Sequence, residues 1–310
     1  MLQWPDGKRF AFTVFDDTDL SRPGNYEPVY ELLFERGMRT TKSVWPATGP
    51  GLEARGPEGS TCDDAEYLRY VLSLQERGFE IGYHNSYHTG LLRAQIETAL
   101  NRFKDLFGHD PVTMSNHAMS TEGIYWGEAR LSPPLSTLYR LAWARNRKQI
   151  HQGHIEGSPH FWGDLCQKRI RYVRNFVFSR PDTLGACPWM PYHDAARPFV
   201  NAWYAATHAQ HCRHFIDVLA ERRQDELEAS GGACIVYTHF AAEFVDSRGA
   251  LDARVRGLID RLSRKNGWFV PVGELLDYIA ATRGVTELTA AARASLEWRW
   301  LAHKLLVGAG

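Results

Sequence analysis

Residues 9–17, Arg-Phe-Ala-Phe-Thr-Val-Phe-Asp-Asp, form a short apolar run that ends in two adjacent carboxylates, Asp16 and Asp17. A second run over residues 79–88, Phe-Glu-Ile-Gly-Tyr-His-Asn-Ser-Tyr-His, supplies two histidines four residues apart, His84 and His88. Both runs are typical of β-strands, and α/β barrels place their active sites where strands end. One carboxylate and two imidazoles suit a divalent metal such as zinc and leave a position open for water, while a second carboxylate can accept a proton. The two motifs together predict a metal-dependent hydrolase.

The rest of the chain alternates strand-like runs with amphipathic stretches, which is typical of a repeating βα fold. The predicted strands lie near residues 9–16, 40–45, 79–84, 111–116, 158–162, 174–178, 233–238 and 267–271. The predicted helices lie near residues 26–37, 64–77, 91–107, 135–147, 208–229, 250–265 and 273–282. His208, His211 and His214 are spaced three apart at the start of one predicted helix, and we interpret them as a polar helix face rather than a metal site.

The composition excludes some classes of function. The chain has 310 residues, with 36 Lys+Arg against 36 Asp+Glu, so it has no net charge with which to attract nucleic acid. Its five cysteines show no paired spacing, which favours a reducing compartment. No basic segment followed by a long apolar run is found at the N-terminus, and no apolar stretch is long enough to span a bilayer. We therefore expect a cytoplasmic protein with no nucleic-acid partner and no transmembrane segment.

In its motifs the chain resembles the polysaccharide deacetylases, also called the NodB-homology or carbohydrate esterase 4 family. The family's first motif is matched by residues 12–17 and its second by residues 80–88. A strand ending in a histidine is matched by residues 233–239, and a last strand and helix by residues 267–276. The resemblance extends in the right order over roughly residues 7–280.

The resemblance implies a distorted, TIM-like (β/α) barrel of seven or eight strands over residues 1–282. It implies Asp16 as general base, His239 as general acid, and Asp17, His84 and His88 as ligands of one divalent metal. Zinc is the expected metal, with cobalt, nickel, manganese or iron as alternatives. The substrate it implies is an acetylated sugar or oligosaccharide.

The chain also departs from the family. The family usually has Gly after the Asp pair, where this chain has Thr18 followed by a third acid, Asp19. The family's third motif carries an Arg that holds the base, whereas residues 111–117 contain none. Asn116 or His117 is the expected replacement. Asp194 and Asp182 are the candidates for the acid that orients the catalytic histidine.

Two long segments, residues 46–62 and 117–195, are expected to lie over the site and set specificity. The second segment contains candidate sugar-contacting aromatic residues: Trp126, Trp162, Trp189 and Tyr192. Residues 283–310 are predicted to form an amphipathic C-terminal helix that packs on the barrel or on a second subunit, so a homo-oligomer is left open.

Three functions are compatible with the sequence. The first is removal of an N-acetyl, or less favourably an O-acetyl, group from a sugar in polysaccharide or O-antigen biosynthesis. The second is a catalytically degenerate protein of the same fold that binds metal and carbohydrate. The third is hydrolysis of another non-peptide amide, such as a cyclic ureide.

Overall fold

The structure, a computed structural model, describes residues 2–143 and 151–307. Its strands, in chain order, are β1 (Phe10–Asp16), β2 (Thr41–Val44), β3 (Arg55–Gly56), β4 (Gly59–Ser60), β5 (Glu80–Tyr83), β6 (Thr113–Met114), β7 (Tyr172–Phe178), β8 (Tyr192–His193), β9 (Ala202–His208), β10 (Ala233–Thr238), β11 (Gly267–Phe269) and β12 (Thr286–Glu287).

The α-helices, in chain order, are α1 (Glu27–Glu35), α2 (Ala65–Glu76), α3 (Arg93–Phe107), α4 (Leu135–Trp143), α5 (Gly163–Arg169), α6 (Thr183–Ala186), α7 (Cys212–Val218), α8 (Glu221–Ser230), α9 (Ala253–Ser263), α10 (Val272–Arg283) and α11 (Ala290–Val307). Two short 3-10 helices occupy Pro5–Gly7 and Gly127–Arg130. None of the helices in residues 2–143 and 151–307 has the length and apolar character needed to cross a membrane.

Seven parallel strands close into a barrel in the order β1-β2-β5-β6-β7-β9-β10, and β10 pairs with β1 to complete the ring. The predicted barrel is confirmed, with seven strands. Strand β11 extends the sheet beside the N-terminal half of β1, and β8 and β12 extend it from β9. Because the strands are parallel, their carboxyl ends lie at one end of the barrel, where the motif residues collect.

Successive side chains of β1 face opposite sides of the sheet, as the two-residue period of a strand requires. The ring of Phe15 lies 6.3 Å from that of Tyr204 on β9 and 5.3 Å from the Arg174 guanidinium on β7. Asp16 faces the other way and accepts a hydrogen bond from Tyr30 of α1. Phe15 therefore points into the barrel, and Asp16 points towards the surrounding helices.

Two of the predicted elements differ from the structure. The strand predicted at residues 158–162 is wrong: this segment is a turn in which Phe161 N donates to the Ser158 carbonyl. Its Pro159 has no N–H for a strand ladder. The seventh barrel strand, β9, was not predicted. The helix predicted at residues 208–229 is instead the end of β9 followed by α7 and α8.

The C-terminal helix α11 packs against α4 and β7. Its Trp300 is fully buried and lies 5.2 Å from the ring of Phe176 and 5.8 Å from that of Tyr139. The segment 46–62 contains the β3–β4 hairpin, and the segment 117–195 contains the barrel strand β7 as well as α4 to α6. The predicted continuation of α4 over residues 144–147 lies outside the described residues.

Candidate active site

Asp17 follows the last residue of β1 and is held by an arginine from across the barrel. Arg174 donates from Nη1 and Nη2 to the two carboxylate oxygens of Asp17 at 3.0 and 2.6 Å, and both side chains are buried. Ser115 Oγ donates a third hydrogen bond to Asp17 at 2.8 Å. Burial raises the pKa of Asp17, but the Arg174 charge, followed by those of His84 and His239, outweighs burial and lowers it. Asp17 is therefore an oriented, ionised carboxylate at the mouth of the barrel.

Asp19 lies two residues further on and meets three imidazoles. Its Oδ2 is 2.8 Å from Nε2 of His84 and 3.4 Å from Nε2 of His239, and its Oδ1 is 2.8 Å from Nε2 of His117. Burial raises the pKa of Asp19, but the charge of His84 and the hydrogen bonds of all three histidines hold it well below its usual range. One ionised carboxylate thus sits at the centre of three converging nitrogen atoms.

The hydrogen bonds of His84 determine which of its nitrogens is available. Its Nδ1 lies 2.6 Å from Ser115 Oγ, whose own proton is donated to Asp17. Since a hydroxyl has one proton to give, Ser115 must accept from Nδ1–H of His84. Nδ1 therefore keeps its proton on Ser115, and Nε2 is the nitrogen that faces Asp19 and that would bind a metal after losing its own proton.

His239 follows β10 and is held in the same way by the backbone. Its Nδ1 lies 2.7 Å from the Gln210 carbonyl, which can only accept, so Nδ1 carries a proton. Burial lowers the pKa of His239, but the hydrogen bond and charge of Asp19, together with Asp17, raise it to about 9. His239 is therefore held as an imidazolium beside the two carboxylates.

His117 reaches the site from the loop after β6. Its backbone N–H donates to the side chain of Asn85, which adopts the left-handed conformation at a φ of 56°. Its Nδ1 accepts a hydrogen bond from Met119 N at 3.3 Å, so the ring proton lies on Nε2, which faces Asp19. Asn116 instead bonds both the N–H and the carbonyl of Ile124. The expectation that Asn116 or His117 bonds Asp16 is not met, since His117 contacts Asp19.

Asp16 lies in a separate buried network behind β1. Its Oδ2 is 2.9 Å from Lys42 Nζ and accepts from Tyr30 at 2.9 Å, while its Oδ1 accepts from Phe240 N at 2.7 Å. Lys42 is fully buried and also donates to Ser21 Oγ. The structure does not bring Asp16 into the cleft, because the strand's alternation turns it towards α1.

His88 and most of the predicted aromatic contacts also lie apart from the cluster. The ring of His88 lies 4.2 Å from that of Tyr87 and 5.8 Å from that of Trp45. Trp162 is buried and donates to the Glu122 carbonyl, and Trp189 packs on the core. Tyr192 accepts from Asn175.

Asp194 forms ion pairs with Arg197 and with Arg293 of α11. It therefore ties α11 to the barrel, whereas the Gln210 carbonyl is the group that orients His239.

Asp17, Asp19 and their partners open into a cleft of about 650 Å³. Of the predicted contacts, Asn116, His117 and Trp126 line it. Its further wall comes from the end of β7, from α7 and α8, and from α11.

Two overlapping groups of side chains could hold a metal: Asp19 with His84 and His117, and Asp17 and Asp19 with His239. Within each group the ligand atoms lie within 4.8 Å of one another. The first group fits better, because Asp17, a member of the second group, is already engaged by Arg174. One carboxylate oxygen and two imidazole nitrogens match a zinc site that keeps an open position. Among the described residues, His88 belongs to neither group.

The sequence motifs located this site but missed two of its members. The motifs mark Asp19 only as an extra acid after the Asp pair, and they give Arg174 no role. One signal was present, since Arg174 and Asn175 interrupt the otherwise apolar and aromatic run Tyr172–Phe178. A buried arginine inside a strand is expected to have a buried carboxylate partner.

No protein-family model matches this sequence, and no curated protein is similar to it at a significant level. Solved structures are similar in fold. A proposed polysaccharide deacetylase from Mycobacterium smegmatis superposes with a TM-score of 0.53 and 12% identity, over 92% of this chain and 95% of that one. The allantoinase PuuE gives a TM-score of 0.53 and 13% identity, over 92% of this chain and 94% of its own. The resemblance to the deacetylases is thus confirmed at the level of the fold.

Proposed function

We propose that the chain is a metal-dependent hydrolase that removes an acetyl group from the nitrogen of an amino sugar. The observation that carries the proposal is the convergence of three imidazole nitrogens on Asp19, next to an Asp17 held by Arg174. A metal site, a base and an acid thereby lie in one cleft, which is the set that amide hydrolysis requires.

Asp19, His84 and His117 would hold the metal, and zinc is the metal that this donor set suits best. When bound, the metal supplies Lewis acidity towards the amide carbonyl and the attacking water. Ser115 accepts from Nδ1–H of His84, which leaves Nε2 as the ligand atom of that residue.

Asp17 takes the role of general base that the resemblance gave to Asp16. It lines the cleft, is ionised, and is aimed by the bidentate contact with Arg174. Arg174 thus supplies the base-holding guanidinium that residues 111–117 lack. Asp17 accepts the proton of the attacking water, and the adjacent Arg174 charge keeps the carboxylate ionised before that step.

His239 acts as the general acid. Its Nδ1–H is fixed on the Gln210 carbonyl, so the proton that it can release sits on Nε2, which faces the acid cluster. Transfer of this proton to the leaving nitrogen lets the amine depart. The neighbouring carboxylates keep His239 protonated until that step.

The amino-sugar substrate rests on the motif resemblance, and the same machinery would serve an O-acetyl ester or another amide. A substrate panel should therefore contain acetylated chito-oligosaccharides, an O-acetylated sugar and the cyclic ureide allantoin. Turnover of the chito-oligosaccharides that is lost on chelation supports the proposal. Turnover of allantoin alone favours the other alternative, hydrolysis of a non-peptide amide such as a cyclic ureide. A protein that binds metal but hydrolyses none of these three substrates favours the alternative function, a catalytically degenerate protein that binds metal and carbohydrate.

Metal content separates the ligands from their neighbours. We expect about one divalent ion per chain, lost in His84→Ala and Asp19→Asn and retained in Asp17→Asn, which should lose turnover. His88→Ala is the matched control for His84→Ala, because it removes the second histidine of the motif, which belongs to neither group of candidate ligands among the described residues. Elemental analysis showing metal loss in His88→Ala and retention in Asp19→Asn would overturn the assignment.

A further inference from the structure

The helices α4 and α11, which pack against each other, carry large apolar side chains on their outer sides. Among the described residues, the three most exposed large apolar side chains all lie on these two helices: Leu306 at 86%, Leu141 at 73% and Leu305 at 63%. Leu138 and Trp298 are also about half exposed. Exposed apolar side chains that cluster in this way mark a surface that contacts another molecule.

The exposed side of α11 differs from that of an ordinary surface helix. Such a helix carries charged and polar residues opposite its packed stripe. Helix α3 of this chain does so, since it exposes Glu97, Arg102, Lys104 and Asp105. Over residues 290–306, the exposed positions of α11 are instead mostly alanine and large apolar residues: Ala290, Ala291, Ala294, Ser295, Trp298, Arg299, Ala302, Leu305 and Leu306.

The charges on this side of the two helices are all positive. The exposed positions of α4 and α11 within the described residues include Arg140 and Arg299 and hold no acid. The one acid of the two helices, Glu297, is buried and accepts from Ser132 and Arg197. Neither exposed arginine pairs with a carboxylate in the part of the chain that the structure describes. The α4–α11 face, formed by Leu138, Arg140, Leu141, Trp298, Arg299, Leu305 and Leu306, is therefore apolar and cationic.

Charge distinguishes between two molecules that could cover the α4–α11 face. A second copy would meet this face with the same face across a two-fold axis, so cations would approach cations with no acid to pair with them. An anionic lipid surface supplies the complementary charge for both arginines and an apolar layer for the leucines. The indole of Trp298 suits the boundary between headgroups and hydrocarbon. The charges thus favour a lipid surface over a second copy.

We propose that the α4–α11 face docks the protein on an anionic lipid surface. Trp298, Leu305 and Leu306 enter the headgroup layer, while Arg140 and Arg299 contact lipid phosphates. Helix α11 lies along the lipid surface rather than crossing it, because its inner side stays packed on β7.

Flotation with lipid vesicles tests the docking without any substrate. The full chain is mixed with vesicles of pure phosphatidylcholine and with vesicles of equimolar phosphatidylcholine and phosphatidylglycerol. We expect the partition coefficient to be at least about fivefold higher on the anionic vesicles, which is the contribution of one arginine near such a surface. Salt should reduce this difference, because it screens the exposed charges.

Variants of α11 assign the binding to this face. Leu305→Ser should lower the partition coefficient on the anionic vesicles by at least about tenfold, since docking removes this side chain from water. Leu52→Ser is the matched control: Leu52 is 45% exposed, but it follows β2, which lies across the seven-stranded ring from β7. Arg299→Gln should lower the partition coefficient by about fivefold, and Arg299→Lys should restore it. Thermal melting checks that each variant is folded.

Failure to bind either vesicle would overturn the docking, as would equal partition on the two vesicles at low salt. Binding that is unchanged in Leu305→Ser, or reduced as much in Leu52→Ser, would also overturn it. Light scattering tests the competing occupant. A dimer that Leu305→Ser dissociates, together with no vesicle binding, would assign the α4–α11 face to a second copy. Flotation needs no turnover, so its result is separate from that of the proposed reaction.

Discussion

Replacing Arg174 by methionine should destabilise the protein strongly, because it leaves the buried Asp17 carboxylate without its counter-charge. Both side chains are buried, and two hydrogen bonds of 3.0 and 2.6 Å join them. Removing one partner of such a buried pair typically costs about 3–5 kcal/mol. Against a total stability of roughly 5–15 kcal/mol, this is a large fraction.

Removing both charges should cost less than the sum of the single changes. In the double variant Arg174→Met with Asp17→Asn, no charge is left buried, and the carboxamide can still accept from Ser115. We expect a coupling energy of at least about 2 kcal/mol, within the range for residues in one ion-pair network.

The matched control is the pair Arg171 and Asp277, at the start of β7. These side chains are 56% and 45% exposed and make contacts of similar length, at 2.6 and 2.7 Å. A surface pair is worth only about 0.2–1 kcal/mol, so its cycle should show a much smaller coupling.

Urea unfolding at pH 7 of the wild type, the single variants and the double variant measures both cycles. The reasoning is refuted if the losses of unfolding free energy in the two single variants, at Arg174 and at Asp17, sum to the loss in the double variant within about 0.5 kcal/mol.

The pH-rate profile gives a second readout. Burial raises the pKa of Asp17 and Arg174 opposes it, so Arg174→Met should move the acidic limb of activity to higher pH.

Two further predictions concern buried titratable side chains. Burial, opposed by the N–H groups of Glu122 and Leu91, raises the pKa of Glu122 from 4.5 to about 8. As the pH rises, the unfolded chain therefore loses this proton at a lower pH than the folded chain does. The free energy of unfolding of the wild type should then fall between pH 4.5 and about pH 8, by roughly 1.4 kcal/mol per pH unit. Glu122→Gln should lack that fall, and urea unfolding at pH 5 and pH 8 checks it; parallel pH dependences of both proteins would contradict it. Lys42→Met should lower the free energy of unfolding by about 3–5 kcal/mol, because it removes the buried partner of Asp16. The metal content should stay unchanged. Elemental analysis showing metal loss would contradict the separation of the Asp16 network from the metal site in the cleft.

The strand-end motifs could be found from sequence because each is local. The apolar runs before Asp17, His84 and His239 predict their strands, and parallel strands bring such ends together. Arg174 could not be placed in this way. It lies 157 residues from Asp17 along the chain, and its role depends on which strands oppose each other in the closed barrel. That order also depends on β9, whose run Ala202–His208 is continuous with the residues that were assigned to a helix.

The exchange of roles between Asp16 and Asp17 follows from the geometry of a single strand. Adjacent residues of β1 face opposite sides, so two neighbouring carboxylates cannot both serve one cleft. Which of them faces inward is decided by the residue before them: Phe15 fills the barrel interior against Tyr204, so Asp17 shares its side. The same alternation persists after the strand ends, because Thr18 bonds Tyr67 of α2 while Asp19 turns back to the histidines. The acids that occupy the cleft are therefore spaced two apart, and Asp16, on the opposite side of the strand, is the buried partner of Lys42.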